Sequence, residues 1–272
     1  MRDEVVKPIK VFHWRGENFG DALSRDVVAH VSGRPAVWSG PVECDLFAVG
    51  SVISLIGDRF AQAEPNGHRP FMWGSGILSP RPSPFMSRIE VVALRGPMTA
   101  ALTDQAPALP FGDPGLFADE LLDERPERTD RIGLVPHWRL VDTPEMQDLA
   151  RDPRVDLIDP RTTDALSVVR RIAACGFVLS SSLHGLIVAD ALGIANHWLT
   201  PIGAHATPTL KFIDYAAAIG RLLGAPLDPD QVPGYLSALR SETMPETLPY
   251  ADGIAAAKQA LRDSFPAELR AN

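Results

Sequence analysis

The chain has 272 residues, of which 45% are hydrophobic and 22% charged, so it is long enough to bury a full core and has an ordinary globular composition. Its formal net charge of −8 argues against a general nucleic-acid binder, because such proteins need basic patches that displace counterions from phosphates. The two cysteines lack C-x-x-C spacing and the charged N-terminus lacks an apolar signal segment, so we expect a cytoplasmic protein with neither a disulfide nor a cysteine metal site.

The first half of the chain alternates short apolar runs with glycine-rich turns. The four-residue spacing of Leu23, Val27 and Val31 predicts a helix over residues 22–31. Pro97 suits the first turn of a second helix, which continues to residue 102. The predicted strands are residues 10–14, 45–49, 71–73 and 90–94.

The acidic, proline-containing stretch 119–130 lacks apolar periodicity, whereas both of its flanks have it. This contrast predicts a linker between an N-terminal domain, residues 1–122, and a C-terminal domain, residues 131–272. The last helices of the second domain are candidates for packing back onto the first.

The second half repeats the alternation. Its predicted strands are residues 131–135, 155–158, 177–180 and 196–199. Its predicted helices are residues 164–174, with Asp164 as N-cap, and residues 186–192, 211–223 and 253–261. Region 172–199 is apolar, but its glycines, serine run, His184 and Asp190 would be costly in a bilayer, so we expect no membrane span.

Strands alternating with helices in both halves indicate an α/β protein with two parallel sheets built from right-handed βαβ units. Ligands of such sheets bind beyond the carboxyl ends of the strands, which is where this chain concentrates Gly, Ser, Arg and His. No Walker A or H-E-x-x-H motif occurs, and no G-x-G-x-x-G follows a predicted strand.

The strongest functional signal is the turn Ser180-Ser181-Ser182-Leu183-His184-Gly185, between a predicted strand and a predicted helix. Free N–H groups and the helix dipole favour an anion at a helix start, and a histidine there suits acid–base catalysis near neutral pH. The structural alternative is that Ser182 only caps the helix and His184 bonds a neighbouring carbonyl. We favour the functional interpretation, because the histidine stands beside a serine run.

The loop Asn18-Phe19-Gly20-Asp21 follows the first predicted strand. Gly20 would let the backbone approach a ligand closely. Asp21 is either a proton acceptor or the N-cap of the next helix, and the sequence does not decide between the two.

Arg95 ends a strand, where a guanidinium suits a phosphate or carboxylate, the alternative being a surface arginine. Lys211 is a second candidate cation or a solvated lysine at a helix end. His137 is a weaker strand-end candidate.

Together these blocks resemble the polysaccharide pyruvyl transferase family. The chain is short for that family, and its first predicted strand carries an unusual His13-Trp14-Arg15-Gly16, which leaves the acceptor open. The resemblance covers residues 10–224 and rests on Asn18-Phe19-Gly20-Asp21, Arg95-Gly96, Gly112-Asp113-Pro114, Ser181-Ser182-Leu183-His184-Gly185, Ala189-x-Ala191-x-Gly193 and Lys211-Phe212-Ile213-Asp214-Tyr215 with Gly220.

The resemblance implies a fold similar to the GT-B glycosyltransferases, with two Rossmann-like halves facing a cleft, the acceptor on the first half and the donor on the second. It implies transfer of pyruvate from phosphoenolpyruvate to a sugar diol of an exopolysaccharide or cell-wall glycan. The product would be a pyruvate ketal, with phosphate released and no metal or redox cofactor required. A lipid-linked acceptor would bring the protein to the inner face of the membrane.

Our hypothesis gives His184 the acid role and Asp21 the base role, with Arg95 and Lys211 holding the anionic donor. The expected substrate-binding residues are Asn18, Gly20, Arg95, Ser181, Ser182, Leu183, Gly185, Lys211 and His137. One alternative is an inverting GT-B glycosyltransferase, which nucleotide sugars rather than phosphoenolpyruvate would stabilise thermally. Another is a non-catalytic scaffold of glycan assembly, which would bind its ligands without releasing phosphate.

Overall fold

A computed structural model describes residues 7–62, 69–201, 207–239 and 247–271. The N-terminal half holds a five-stranded, all-parallel sheet in the order β2-β1-β3-β4-β5. Its strands are β1 (Ile9–Phe12), β2 (Ala36–Trp38), β3 (Leu46–Phe47), β4 (Phe71–Ser75) and β5 (Glu90–Leu94). The C-terminal half holds a four-stranded parallel sheet in the order β7-β6-β8-β9. Its strands are β6 (Ile132–Val135), β7 (Val155–Leu157), β8 (Phe177–Ser180) and β9 (Asn196–Trp198).

A turn joins β2 to β3, and a 3-10 helix, Pro84–Arg88, lies between β4 and β5. The α-helices lie between the other strands and after the last one. They are α1 (Phe19–Ser32), α2 (Ile53–Gln62), α3 (Pro97–Leu102), α4 (Pro144–Leu149), α5 (Ala165–Ala173), α6 (Leu183–Ala191), α7 (Leu210–Ala218), α8 (Val232–Ala238) and α9 (Ala251–Ser264). Within the part of the chain that is described, no helix combines the length and apolar character needed to cross a membrane.

Both strand orders are those of doubly wound α/β sheets, so the prediction of parallel α/β sheets in both halves is confirmed. In such a sheet the chain leaves in opposite directions from two adjacent strands, and a crevice opens beyond their carboxyl ends. These switch points lie between β1 and β3 in the first sheet and between β6 and β8 in the second.

The predicted linker at residues 119–130 is wrong at its start. A 3-10 helix, Pro114–Leu121, extends into it and buries Leu116 and Phe117. This 3-10 helix packs between α1 of the first half and α6 of the second. Its acidic residues, Asp119 and Glu120, are partly exposed, while the preceding residues of the helix are buried. The two sheets lie on either side of the remaining stretch, residues 122–131.

One hydrophobic cluster joins the two halves. It includes Val27 of α1, Val169 of α5 and Val188 of α6. The last long helix, α9, packs against β4 and β5, and the Trp73 indole Nε1 donates a hydrogen bond to the Leu261 carbonyl oxygen (2.8 Å). The C-terminal end of the chain therefore contributes to the core of the N-terminal half.

Candidate active site

A cavity of about 240 Å³ opens at the carboxyl ends of both sheets, where their switch points meet. Most of its lining residues lie in the loops and helix starts that follow the strands, because parallel strands end at the same edge of a sheet. The lining residues are Trp14, Asn18 and Asp21 after β1, Ser51 and Leu55 after β3, Leu78 after β4, His137, Trp138 and Arg139 after β6, Ser182, Leu183 and His184 after β8, and Lys211 on α7.

The start of α6 forms one wall of this cavity. Ser182 occupies the N-cap position, but its side chain makes no capping hydrogen bond. The Leu186 N–H is the first in the helix to find an intrahelical acceptor, the Ser182 carbonyl, so the preceding N–H groups are available to a ligand. The structural alternative for this turn, a serine side-chain cap, is therefore wrong.

The residues around this turn hold it in place. Ser180 Oγ lies 2.7 Å from the Val135 carbonyl oxygen and accepts the Ser182 N–H at 3.0 Å. A Cβ on Gly185 would lie 2.3 Å from that hydroxyl, so only glycine lets the first turn of α6 pack this closely. Ser181 Oγ accepts the His137 N–H (2.9 Å). Neither Ser181 nor Gly185 lines the cavity, so their place in the structure is to position the residues that do.

His184 is 8% exposed and stands against the start of α1. A Cβ on Gly20 would lie 2.0 Å from its Nδ1, so the backbone of Gly20 packs on the imidazole. The prediction that this glycine lets the backbone approach a ligand is therefore corrected. Burial, with the charges of Lys211 and Arg95, lowers the pKa of His184 to about 3. The imidazole is therefore neutral at neutral pH. No hydrogen bond from it to a carbonyl is found among the described residues.

Asp113, the N-cap residue of the 3-10 helix, faces His184. Its Oδ1 accepts the Gly115 N–H (2.9 Å), and its Oδ2 lies 3.9 Å from His184 Nε2. Both of these facing atoms are buried without a hydrogen-bond partner among the residues that are described. Burial raises the pKa of Asp113 to about 6, so the carboxyl is largely ionised at neutral pH.

Asp21 lies in the first turn of α1, and Asn18 is the N-cap of that helix. Asn18 Oδ1 accepts the Gly20 N–H (3.3 Å), and its Nδ2 donates to Asp21 Oδ2 (2.6 Å). The alternative of Asp21 as N-cap is therefore wrong. Burial raises the pKa of Asp21 to about 7, against the opposing effects of the Asn18 hydrogen bond and Lys211. A Cβ on Gly50 would lie 3.3 Å from Asp21 Oδ1 and 3.7 Å from His184 Cε1, so both side chains flank that glycine.

The structure brings Lys211 to the cavity but not Arg95. Burial and the charge of Arg95 lower the pKa of Lys211 to about 8, so it stays protonated at neutral pH. Arg95 is fully buried one layer behind the cavity.

All three guanidinium nitrogens of Arg95 are engaged within the protein. Nε donates to Asp214 (3.0 Å), one terminal nitrogen to Ser51 Oγ (2.6 Å) and the other to the Ile77 carbonyl oxygen (2.8 Å). The expectation that Arg95 touches the donor is corrected accordingly. Its charge still acts on the site, and it orients Ser51, which lines the cavity.

Sequence reasoning missed the aromatic part of the site. Trp14 from the first half and Trp138 from the second lie with ring centroids 5.4 Å apart. The Arg139 guanidinium lies 4.7 Å from the Trp138 ring. The predicted candidate His137 lines the cavity beside them. Each tryptophan follows the end of β1 or β6 closely, so the strand-end rule that identified His137 contained the signal.

Taken together, the cavity presents free helix N–H groups, two cationic side chains, Lys211 and Arg139, and two buried titratable groups, Asp21 and His184. Such a set suits a small anionic substrate that undergoes proton transfer. Among the residues described, no three His, Cys, Asp or Glu side chains are grouped so as to hold a metal ion.

Comparison with known proteins gives one family. A model of the family described as polysaccharide pyruvyl transferase matches residues 2–201. The succinoglycan biosynthesis protein ExoV of Rhizobium meliloti (strain 1021) is 28% identical over 132 residues, which cover 48% of this chain and 41% of ExoV. The uncharacterized protein L143 of Acanthamoeba polyphaga mimivirus is 32% identical over 140 residues, 49% of this chain and 46% of L143. The matches thus span less than half the length of either relative.

Among solved structures, an uncharacterized protein from Klebsiella pneumoniae subsp. pneumoniae NTUH-K2044, KP1_0663, is similar with a TM-score of 0.49 and 12% sequence identity. That match covers 81% of this chain and 92% of the Klebsiella chain.

Proposed function

Because the chain belongs to the polysaccharide pyruvyl transferase family, we propose that it transfers the pyruvyl group of phosphoenolpyruvate to two hydroxyls of a glycan sugar, forming a ketal and releasing phosphate. The relative named as a succinoglycan biosynthesis protein supports an exopolysaccharide or a similar glycan as acceptor. In this proposal the two halves face each other in a GT-B-like arrangement, with the donor on the second half and the acceptor on the first.

The donor binds at the start of α6. Its phosphate accepts hydrogen bonds from the N–H groups of the first turn and from Ser182, where the helix dipole favours negative charge. Lys211, which also lines the cavity, neutralises the carboxylate or the phosphate as a point charge. Arg95 adds a positive potential from behind Ser51 without contacting the donor.

The reaction balances without a cofactor. The C3 methylene of phosphoenolpyruvate gains a proton, C2 forms bonds to two sugar oxygens, and the bond between C2 and the phosphate oxygen breaks. Of the two protons that the hydroxyls lose, one replaces the proton given to C3 and the other leaves on the phosphate. The protein therefore needs one group that donates a proton and one that accepts it.

The pKa values favour the reverse of the roles proposed from the sequence. Asp21, with a pKa raised to about 7, retains a proton in a large fraction of molecules near neutral pH and serves as the acid toward C3. His184 is neutral and serves as the base toward the attacking hydroxyl; with a pKa of about 3 in the empty cavity, it takes up the proton only when the Asp113 carboxylate and the bound anionic donor stabilise the imidazolium. A general acid or base is most effective when its pKa lies near the working pH, which Asp21 satisfies.

Asp113 supports the base. When His184 takes up a proton, its Nε2 faces the Asp113 carboxylate at 3.9 Å, which stabilises the imidazolium. This role accounts for two buried polar atoms that face each other without other partners among the described residues. Asp113 touches no substrate and acts as a positioning residue.

The observation that carries the proposal is the meeting of Asp21, His184 and Lys211 with an open helix start in one cavity. The test is phosphate release from phosphoenolpyruvate with a panel of glycan acceptors, followed by mass analysis for the pyruvate ketal. The wild type is expected to release phosphate only with an acceptor, and His184→Ala to lose about 10²- to 10⁴-fold in turnover. His30→Ala, a histidine paired with Glu120 outside the cavity, should keep wild-type turnover.

Thermal stabilisation by ligands provides a second test that does not depend on turnover. Phosphoenolpyruvate should raise the melting temperature of both wild type and His184→Ala, because Lys211 and the helix start remain in place. Stabilisation by nucleotide sugars with no response to phosphoenolpyruvate would contradict the proposal, as would near-normal ketal formation by His184→Ala.

A further inference from the structure

A second compartment, of about 480 Å³, adjoins the active-site cavity on the side of the N-terminal half. It shares Trp14 and Leu55 with that cavity, so the two compartments lie side by side with these residues between them. Its other main lining residues are Phe12, His13, Arg15, Trp38 and Arg59. Half of its lining residues belong to the His13-Trp14-Arg15-Gly16 segment, which the proposed reaction does not use.

Two guanidinium groups line this compartment. Arg15 and Arg59 are both exposed, and neither has a carboxylate partner in the described parts of the chain. The Arg15 guanidinium lies over the Trp38 ring, 4.5 Å from its centroid, which restricts its position. In a chain of net charge −8, two arginines without acidic partners among the described residues, both lining one compartment, make a local site for an anion.

His13 supplies a hydrogen-bonding atom of the opposite kind. Its Nδ1 lies 2.8 Å from the Trp14 carbonyl oxygen, which only accepts, so Nδ1 carries the proton. In the neutral ring Nε2 is then an acceptor, and it is buried without a partner among the described residues. Burial lowers the pKa of His13, which keeps the ring neutral. A buried acceptor without a partner is costly unless a ligand hydroxyl fills it.

Trp14 separates the two compartments. Its indole folds back over Gly16, where a Cβ would lie 2.2 Å from Cη2. The Trp38 Nε1 donates to the His13 carbonyl oxygen (3.1 Å), which ties the segment to β2. The negatively charged face of an indole attracts the C–H groups of a sugar ring, so Trp14 suits a sugar that reaches from one compartment into the other.

We propose that this second compartment is an acceptor subsite that binds an anionic group, a phosphate or a carboxylate, carried by the glycan next to the sugar that receives the pyruvate. Arg15 and Arg59 hold the anion, His13 accepts a hydroxyl of the sugar, and Trp14 stacks on its ring. The inference rests on the proposed function for the identity of the reaction, but the binding itself requires no turnover.

Three acceptors of equal length test the proposal: a neutral oligosaccharide, the same oligosaccharide linked through a diphosphate to a short alkyl chain, and a variant with one uronic acid. Their affinities for the protein are measured by calorimetry, and their KM and kcat by phosphate release. The test variant is Arg15→Gln with Arg59→Gln. The control is Arg151→Gln, an exposed arginine outside both compartments.

The double variant should lose about 10- to 100-fold in affinity for an anionic acceptor, with kcat and the KM for phosphoenolpyruvate unchanged.

The arms give separate answers. Loss confined to the diphosphate-linked glycan assigns the anion as a phosphate, and loss confined to the uronic acid assigns it as a carboxylate. Equal affinity of wild type and double variant for both anionic acceptors would overturn the proposal, and so would an equal loss for the neutral one. If the wild type released no phosphate with any acceptor, the proposed function would fail, while the calorimetric comparison would still decide the subsite.

Discussion

At the scale of single residues, burial sets the protonation states of the cavity. It raises the pKa values of Asp21 and Asp113 to about 7 and about 6, and it lowers those of Lys211 and His184 to about 8 and about 3. Asp21 and Lys211 therefore titrate within about one pH unit of each other, near neutrality. An anionic donor that enters such a cavity favours the protonated form of both groups.

The raised pKa of Asp21 has a consequence for stability. Between pH 3.8 and about 7 the unfolded carboxyl has released its proton while the folded one retains it, so the contribution of this group to stability falls as the pH rises through that window. Asp21→Asn removes the effect, because an amide stays neutral and still accepts from Asn18. The variant should melt above the wild type at pH 8 and close to it at pH 4, with a difference of up to roughly 4 kcal/mol.

The check is a series of melting temperatures from pH 4 to pH 8, with Asp148→Asn as an exposed control that should show no such trend. Asp21→Asn should also lose most of its turnover. The neutral side chain therefore raises stability but lowers activity, and the two measurements show these effects separately. A gap between Asp21→Asn and wild type that stayed constant over the whole pH range would contradict the burial of an ionisable carboxyl at this position.

Arg95 shows what a residue-level reading of the sequence leaves undetermined. A guanidinium at the end of a strand is as compatible with a ligand contact as it is with a buried ion pair. The partner that decides between them, Asp214, is 119 residues away in the chain. Asp113 was noticed only as part of a motif, because its importance comes from a facing imidazole that local spacing does not reveal.

At the scale of elements, the site depends on two helix starts that meet. Gly20 in the first turn of α1 packs on the His184 imidazole in the first turn of α6. Replacing glycine by alanine in a helix normally stabilises it by about 0.5–1 kcal/mol. Here the added methyl would stand 2.0 Å from His184 Nδ1, so the imidazole or α1 must move.

We therefore predict that Gly20→Ala lowers turnover at least about tenfold, because a base displaced by about 1 Å no longer meets its substrate. Gly234→Ala in α8, where the new methyl has no neighbour within 4 Å, is the matched control and should be neutral or slightly stabilising. Steady-state phosphate release and the melting temperature of each variant provide the measurement. Wild-type turnover by Gly20→Ala would show that the contact does not position His184.

The sequence predicted most of the β-strands but not all of the strands and helices beside them. Glu90–Leu94 and Phe177–Ser180 have the bounds that were expected, because buried parallel strands are continuous apolar runs. The edge strand β2 was not predicted, although all three of its residues, Ala36–Trp38, are apolar; Val37 and Trp38 are exposed in the structure. Helix α6 begins three residues earlier than predicted, at Leu183, because the polar run before it resembles a loop.

Helix α2 was also missed, although the sequence carried its signal. Ile53, Ile56 and Phe60 are fully buried at helical spacing. The glycine within this segment, Gly57, weakens a helix prediction made from propensity alone. The cavity residue Leu55 lies in the same helix, which is why it is not among the predicted site residues.

At the scale of the whole molecule, the two halves share a core. Leu261 of α9 is fully buried in the cluster that also contains residues of α1, α5 and α6. Leu261→Ala should lower the free energy of unfolding by about 2–5 kcal/mol, and denaturant unfolding should remain a single transition, since neither sheet keeps a complete core alone. Leu222→Ala, at a leucine that is 99% exposed, is the control and should change little. Two separate transitions in the wild type would contradict the shared core.

The arrangement of the site is likewise a property of the whole chain. The first sheet supplies Asp21 and Asn18, the second supplies His184 and the open start of α6, and α7 supplies Lys211. Sequence patterns identified these residues one by one and showed that they lie near the ends of strands. Their convergence depends on how the sheets are joined through the 3-10 helix Pro114–Leu121 and α9, and local patterns contain no information about that junction.

The central claim, that this cavity protonates C3 of phosphoenolpyruvate while a sugar diol attacks C2, is tested most directly by running the reaction in D2O and analysing the glycan product by mass spectrometry and NMR. The account predicts a ketal whose methyl group carries one deuterium, formed by the wild type and at a greatly reduced rate by Asp21→Asn. A product that retains the CH2 double bond as an enolpyruvyl ether, or a methyl group without deuterium, would contradict it.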